Sequence, residues 1–165
     1  MSIKLIAIGN RKMCDEGIAV KIAEKLRDEL YTENIEVILG ETDKDVNFNE
    51  LTDAELFFIL DATCYNINPG TITLLSTEKY NPYFNNFITN HDINLIKKLG
   101  NDKGVSGYVI GIEIEKITFD INLSKALEDK FTTISERIKA AIKVLRHCPS
   151  SMDINIIQNQ INCLL

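Results

Sequence analysis

Five consecutive apolar residues, Leu56-Phe-Phe-Ile-Leu60, run straight into a carboxylate, Asp61. A run this short and this apolar reads as a strand buried on both faces, the kind that sits in the middle of a parallel sheet. A carboxylate at the end of such a strand is costly unless something pairs with it. Ile3 to Ile8 is a second run of the same kind, and it stops at the Gly9-Asn10 turn. From Glu16 the period changes. Ile18, Ile22, Leu26 and Leu30 recur every four residues, with Ala19 and Ala23 beside them. That spacing predicts an amphipathic helix laid on a sheet.

The alternation continues along the chain. Ile35 to Leu39 is expected as a strand, Asn47 to Ala54 as a short polar helix, and Thr71 to Leu75, after the Pro69-Gly70 turn, as another strand. Only a loop separates Leu60 from Thr71, too little for a crossover helix. The later strand is therefore expected antiparallel, or at an edge. His91 to Leu99 is expected as a helix, Gly107 to Ile114 as a strand and Ser124 to Lys130 as a short helix. Thr133-Ile-Ser-Glu136 fits a capping box that opens a last major helix, which Pro149 ends. The segment from Glu78 to Asn90 reads as irregular. Alternating strands and helices imply an α/β class, a mostly parallel sheet covered on both faces. The expected order puts the first strand between the second and third. That makes a topological switch point, with a crevice at the carboxyl ends of the first and third strands.

With 165 residues the chain is expected to form one domain, residues 1–148, and a tail, 149–165, whose isoleucines dock on the body or on a second chain. At 45% hydrophobic residues there is enough apolar material for a core. Eighteen basic against 24 acidic residues argue against a broad nucleic-acid surface. No apolar stretch reaches membrane length, and the N-terminal run is too short for a signal peptide, so a cytoplasmic location is expected. Cys14, Cys64, Cys148 and Cys163 show no metal-finger spacing and are expected as unpaired thiols.

Asp15 and Glu16 follow the first strand, and Asp61 ends the third, so all three face the expected crevice. Asp15-Glu16 also has a plainer reading, as negative charge complementing a helix N-terminus. His91 opens its helix after an aromatic loop. Glu, Asp and His together suit a divalent transition metal with open positions. His147 sits at a helix end, where a cation is favoured, and carries no further role. The stretch Gly9 to Gly17 is neither a GxGxxG nor a Walker loop, and its two acids stand where a phosphate would bind.

Taken together, these residues resemble the hydrogenase maturation proteases. The match runs through Ile6-Ala-Ile-Gly-Asn10, Asp15-Glu16-Gly17-Ile18-Ala19-Val20, Phe57-Phe-Ile-Leu-Asp61-Ala62, Pro69-Gly70-Thr71, Asn90-His91-Asp92 and Val109-Ile-Gly-Ile112-Glu113. The resemblance implies a three-layer α/β/α sandwich around a twisted five-stranded sheet with one antiparallel strand. It implies an aspartyl-type endopeptidase that removes a C-terminal peptide from a nickel–iron hydrogenase large-subunit precursor. Glu16, Asp61 and His91 would be the metal ligands; for the attack itself a carboxylate, Asp15 or Asp61, is expected as general base, and the sequence leaves the two open. No permanent cofactor is implied, because the metal recognised is the nickel of the precursor. The precursor is then the expected partner, with no nucleic acid and no membrane. One departure bears on turnover. The family has an acid before Gly-Gly-Thr after the second strand, whereas Leu39-Gly40-Glu41-Thr42 stands here. An alternative reading follows from it, a family member that recognises the metal-loaded partner without cutting.

Overall fold

The computed structural model describes residues 1–40, 53–77, 106–148 and 153–163. Five strands form one sheet: β1 (Ile3–Ile8), β2 (Ile35–Gly40), β3 (Leu56–Thr63), β4 (Ile72–Ser76) and β5 (Ser106–Glu113). Their order across the sheet is β2-β1-β3-β5-β4. All pairs are parallel except β4 with β5. The strand after Pro69-Gly70 is therefore both antiparallel and at an edge. β3 lies in the middle of the sheet, and every one of its residues is buried. β1, also flanked on both sides, is buried throughout as well.

The helix α1 (Ile18–Thr32) follows a single 3-10 turn, Cys14–Gly17. Its stripe of Ile18, Ile22, Leu26 and Leu30 is wholly buried, worth roughly 1.5–3 kcal/mol for each such side chain. The helix α2 (Lys125–Leu145) is one continuous element of 21 residues. This corrects the expected break between Ser124–Lys130 and a helix opened by Thr133. No glycine or proline interrupts the stretch, and Leu127, Ile134, Ile138, Ala141 and Leu145 make one buried stripe at spacings of three, four and seven. Ser135, inside the supposed capping box, donates its hydroxyl to the Phe131 carbonyl at 2.7 Å, one turn back.

The helix α3 (Ile154–Cys163) docks the tail against α2 and β4. Ile154, Ile157 and Ile161 are buried, while Ile156 stays exposed. Of the expected Asn47–Ala54 helix only Asp53 and Ala54 are described, in a turn leading to β3. The expected helix His91–Leu99 lies outside the described residues. Leu56, Phe58, Leu60 and Ala62 join Ile110, Ile112 and the helices in one core cluster. Strand side chains alternate in direction, so Phe57, Ile59, Asp61 and Thr63 face the other side of the sheet.

Candidate active site

β1 has β2 on one side and β3 on the other, with α1 crossing from β1 to β2. A strand flanked in this way by the second and third strands is a switch point, where α/β sheets take their ligands beyond the carboxyl ends of the strands. Asp61 belongs to β3 itself, since the strand runs on to Thr63. It pairs in register with Gly111 of β5. Its carboxylate is buried and accepts the Ala62 N–H at 2.8 Å. Glu16 lies in the Cys14–Gly17 turn, which packs against β3, and is half-buried. Gly9 makes this packing possible, because a Cβ there would collide with the Glu16 carbonyl oxygen. The fold therefore brings Glu16 and Asp61 to the same end of the same two strands.

Asp15 takes a different position from its neighbour. Its side chain is fully buried. It accepts the N–H groups of Glu115 at 3.0 Å, Lys116 at 3.1 Å and Ser124 at 2.7 Å. A bridge between Met13 and Asp120 runs alongside, with Cys14 N–H on the Asp120 carbonyl at 2.7 Å and Asp120 N–H on that of Lys12 at 3.0 Å. Cys14 is held in the left-handed region, φ 55°, between these contacts. Such a conformation costs a cysteine roughly 1–2 kcal/mol, which the surrounding bonds offset. Asp15 thus fastens the segment after β5 to the turn that carries Glu16.

One buried acid escaped the reading of single residues. Glu113 ends β5 as Asp61 approaches the end of β3, and it is 1% exposed. It accepts the Thr63 hydroxyl at 2.9 Å and the Tyr65 N–H at 2.8 and 3.0 Å on its two oxygens. The signal was available, an acid closing the apolar run Val109-Ile-Gly-Ile112. Glu113 shapes the turn that leaves β3 just beyond Asp61. Cys14 is buried and Cys64 exposed, both as free thiols. Among the described residues no group of three or more His, Cys, Asp and Glu side chains is arranged to hold a metal ion. His91, the expected third ligand, lies outside the described residues.

The sequence model for hydrogenase maturation proteases matches residues 20–143. The chain belongs to the hydrogenase maturation protease family. The hydrogenase 2 maturation protease of Escherichia coli K12 is 25% identical over 150 residues, covering 87% of this chain and 92% of that protein. The solved E. coli hydrogenase maturating endopeptidase HybD superposes with a TM-score of 0.66 at 22% identity, over 87% of this chain and 93% of its own. The solution structure of the E. coli endopeptidase HycI gives a TM-score of 0.64 at 26% identity, over 85% and 90%. A maturation protease of this family is a peptidase, and the five-stranded sheet with its antiparallel edge is the fold shared with these structures. Among the described residues no helix is long and apolar enough to cross a membrane.

Proposed function

We propose that this maturation protease removes a C-terminal peptide from a nickel-loaded hydrogenase large-subunit precursor in the cytoplasm. The observation that supports the reading is that the turn carrying Glu16 packs on β3, the strand that carries buried Asp61, beside β1. Two carboxylates supply part of a hard-to-borderline donor set, and His91 completes it with an imidazole. The nickel belongs to the substrate. Docking it on Glu16, Asp61 and His91 holds the adjacent peptide bond in the crevice, which turns an encounter between two molecules into a positioned reaction. The metal polarises the scissile carbonyl or the attacking water. Asp61 is the carboxylate we assign as general base. Asp15 was the other candidate, but its oxygens are engaged by three backbone N–H groups.

The test is incubation of the full chain with nickel-loaded and nickel-free precursor, read by intact mass. Loss of a C-terminal peptide only from the loaded form is expected. His91→Ala should abolish that loss with the melting temperature unchanged, and His147→Ala should leave it intact. Equal cutting of both precursor forms would overturn metal-guided recognition. The second reading, a binding module that does not cut, rests on Leu39, which stands where the resemblance puts an acid. Stable capture of the loaded precursor without any change of mass would establish that reading instead.

A further inference from the structure

A second pocket of about 430 Å³ lies at the same end of the sheet, beside β4. The turn Asn68–Thr71 forms one wall, α2 another through Lys130, Thr133 and Arg137, and α3 closes it with Asn162. The turn is fixed in place. Gly70 donates to the Glu113 carbonyl at 2.8 Å, and Glu113 N–H donates to that of Thr71 at 2.9 Å. Gly70 adopts φ +90°, and a Cβ there would press on Ile134 and Lys130 at 3.2 and 3.3 Å. Lys130 donates from Nζ to the Pro69 carbonyl at 3.0 Å, which places its ammonium at the wall.

Among the described residues three buried side-chain polar atoms lack a hydrogen-bond partner, Ser124 Oγ, Arg146 Nε and Arg137 Nε, and of these only that of Arg137 belongs to a residue lining the pocket. Its Nε is fully buried and has no hydrogen-bond partner. Among the described residues its guanidinium makes neither a hydrogen bond nor an ion pair, although its five N–H groups form a fork suited to a planar anion. Buried donors are almost always satisfied, so a guanidinium without any partner marks this cavity wall as short of an acceptor. No Asp or Glu lines the pocket among the described residues. On a chain of net charge −6, two cations without a lining acid are a local reversal of sign.

We propose that this pocket is a carboxylate-binding subsite for a peptide, with Arg137 as the bidentate partner and Lys130 as the flanking charge. A carboxylate pairs with the guanidinium through the N–H groups of its pocket-facing end. The cavity is several times larger than one carboxylate, so it also holds the residue that bears it. Glu113 links the pocket to the crevice. It is bonded to Thr63 and Tyr65 just past Asp61 on one side and to Gly70 and Thr71 on the other. Across the sheet that is about two strand spacings, roughly 10 Å, but the pocket lies on the α2 face and Asp61 on the opposite one, so a peptide joining them passes over the carboxyl end of β5. Naming the peptide as substrate rests on the proteolytic reading above; the affinity for a carboxylate does not.

The experiment titrates the full chain with four probes, reads affinity by calorimetry in wild type and variants, and follows the Arg137 side-chain resonances of the wild type by NMR. The probes are an acetylated tetrapeptide amide with an internal Asp, the same peptide with Asn, an all-neutral tetrapeptide with a free C-terminal carboxylate, and inorganic phosphate. At least one peptide acid should shift the Arg137 guanidinium resonances and bind tenfold or more tighter than the Asn amide. Which acid does so tells a side-chain carboxylate from a terminal one. Arg137→Gln and, separately, Lys130→Met should each weaken that binding, the first by tenfold or more. Equal binding of acid and neutral peptides, or binding unchanged in Arg137→Gln, overturns the proposal. Phosphate binding as tightly as the peptide acids overturns the peptide assignment. None of these readouts depends on precursor cleavage, so failure here and failure of the proteolytic reading are separately visible.

Discussion

Asp15 and Glu16 are adjacent acids with opposite fates. In the sequence both read as crevice carboxylates or as charge for a helix N-terminus. In the fold Asp15 is fully buried and holds backbone N–H groups about a hundred residues further along, while Glu16 remains half-buried at the crevice. That division was not legible, because neither spacing nor periodicity records which distant loop returns to a given turn. The burial cost of Asp61 was legible, a carboxylate closing a five-residue apolar run, but its place was not: β3 continues through Asp61 to Thr63 because Ala62 and Thr63 go on pairing with β5. Asp15→Asn keeps the shape but replaces one acceptor with an NH₂ group that faces N–H donors. We expect a loss of about 2–3 kcal/mol, the scale of hydrogen bonds to a charged group. The urea midpoint should fall and amide exchange at Glu115, Lys116 and Ser124 should accelerate ahead of the rest of the sheet. Unchanged protection at those three amides would refute the brace.

At the scale of elements, the tail helix does more than bury three isoleucines. Gln158 and Asn162 are four residues apart, so they share one face of α3. Gln158 Oε1 accepts the Leu74 N–H at 2.7 Å, and Asn162 Oδ1 accepts that of Ile72 at 2.9 Å. Asn162 Nδ2 also returns a bond to the Ile72 carbonyl at 2.7 Å. Two side-chain amides thus stand in for a neighbouring strand along β4, whose open edge would otherwise invite pairing with another chain. The isoleucine spacing of the tail forecast docking, yet gave no sign of its target, since amide-to-edge bonds have no sequence period. The same limit explains α2, where a capping-box pattern matched inside a stripe that the tertiary core keeps continuous. Replacing both Gln158 and Asn162 with Ala should cost about 3 kcal/mol, near 1 kcal/mol for each of the three neutral hydrogen bonds to β4 left unmade. Exchange at Ile72 and Leu74 should quicken, and association should become concentration-dependent in light scattering. A double variant that stays monomeric with both amides protected would show that α3 does not guard this edge.

Across the whole molecule the two ends of the sheet carry different duties. The carboxyl ends of β1, β3 and β5 gather Glu16, Asp61, Glu113 and the pocket of Arg137. The amino end holds a clamp instead. Lys4, buried in β1, reaches Glu36 at 2.9 Å and Asp53 at 2.8 Å. Burial is the largest single influence on the ammonium and lowers its pKa, but the bonds from Asp53 and Glu36 together outweigh it, so the pKa stands above the ordinary lysine value. A raised pKa means that the folded state holds the proton more tightly than the unfolded chain. The clamp therefore contributes fully below the unfolded-state value and fades as pH climbs through the folded-state value. Wild-type stability should show an alkaline decline at and above the lysine range. Neutralising both partners, Glu36→Gln with Asp53→Asn, leaves a buried ammonium with weaker acceptors and should cost about 2 kcal/mol at neutral pH. Lys4→Met removes the charge altogether; it should be nearly neutral in stability and flatten the alkaline decline. Lys4 pairs with Phe57 in register, four residues before Asp61, which is roughly 13 Å along the strand. At that separation its effect should add independently to that of Asp61→Asn in stability measurements. Cleavage per folded molecule should be the same for Lys4→Met as for wild type. A loss of turnover in Lys4→Met with stability intact would mean that the clamp and the crevice are coupled through β1 and β3.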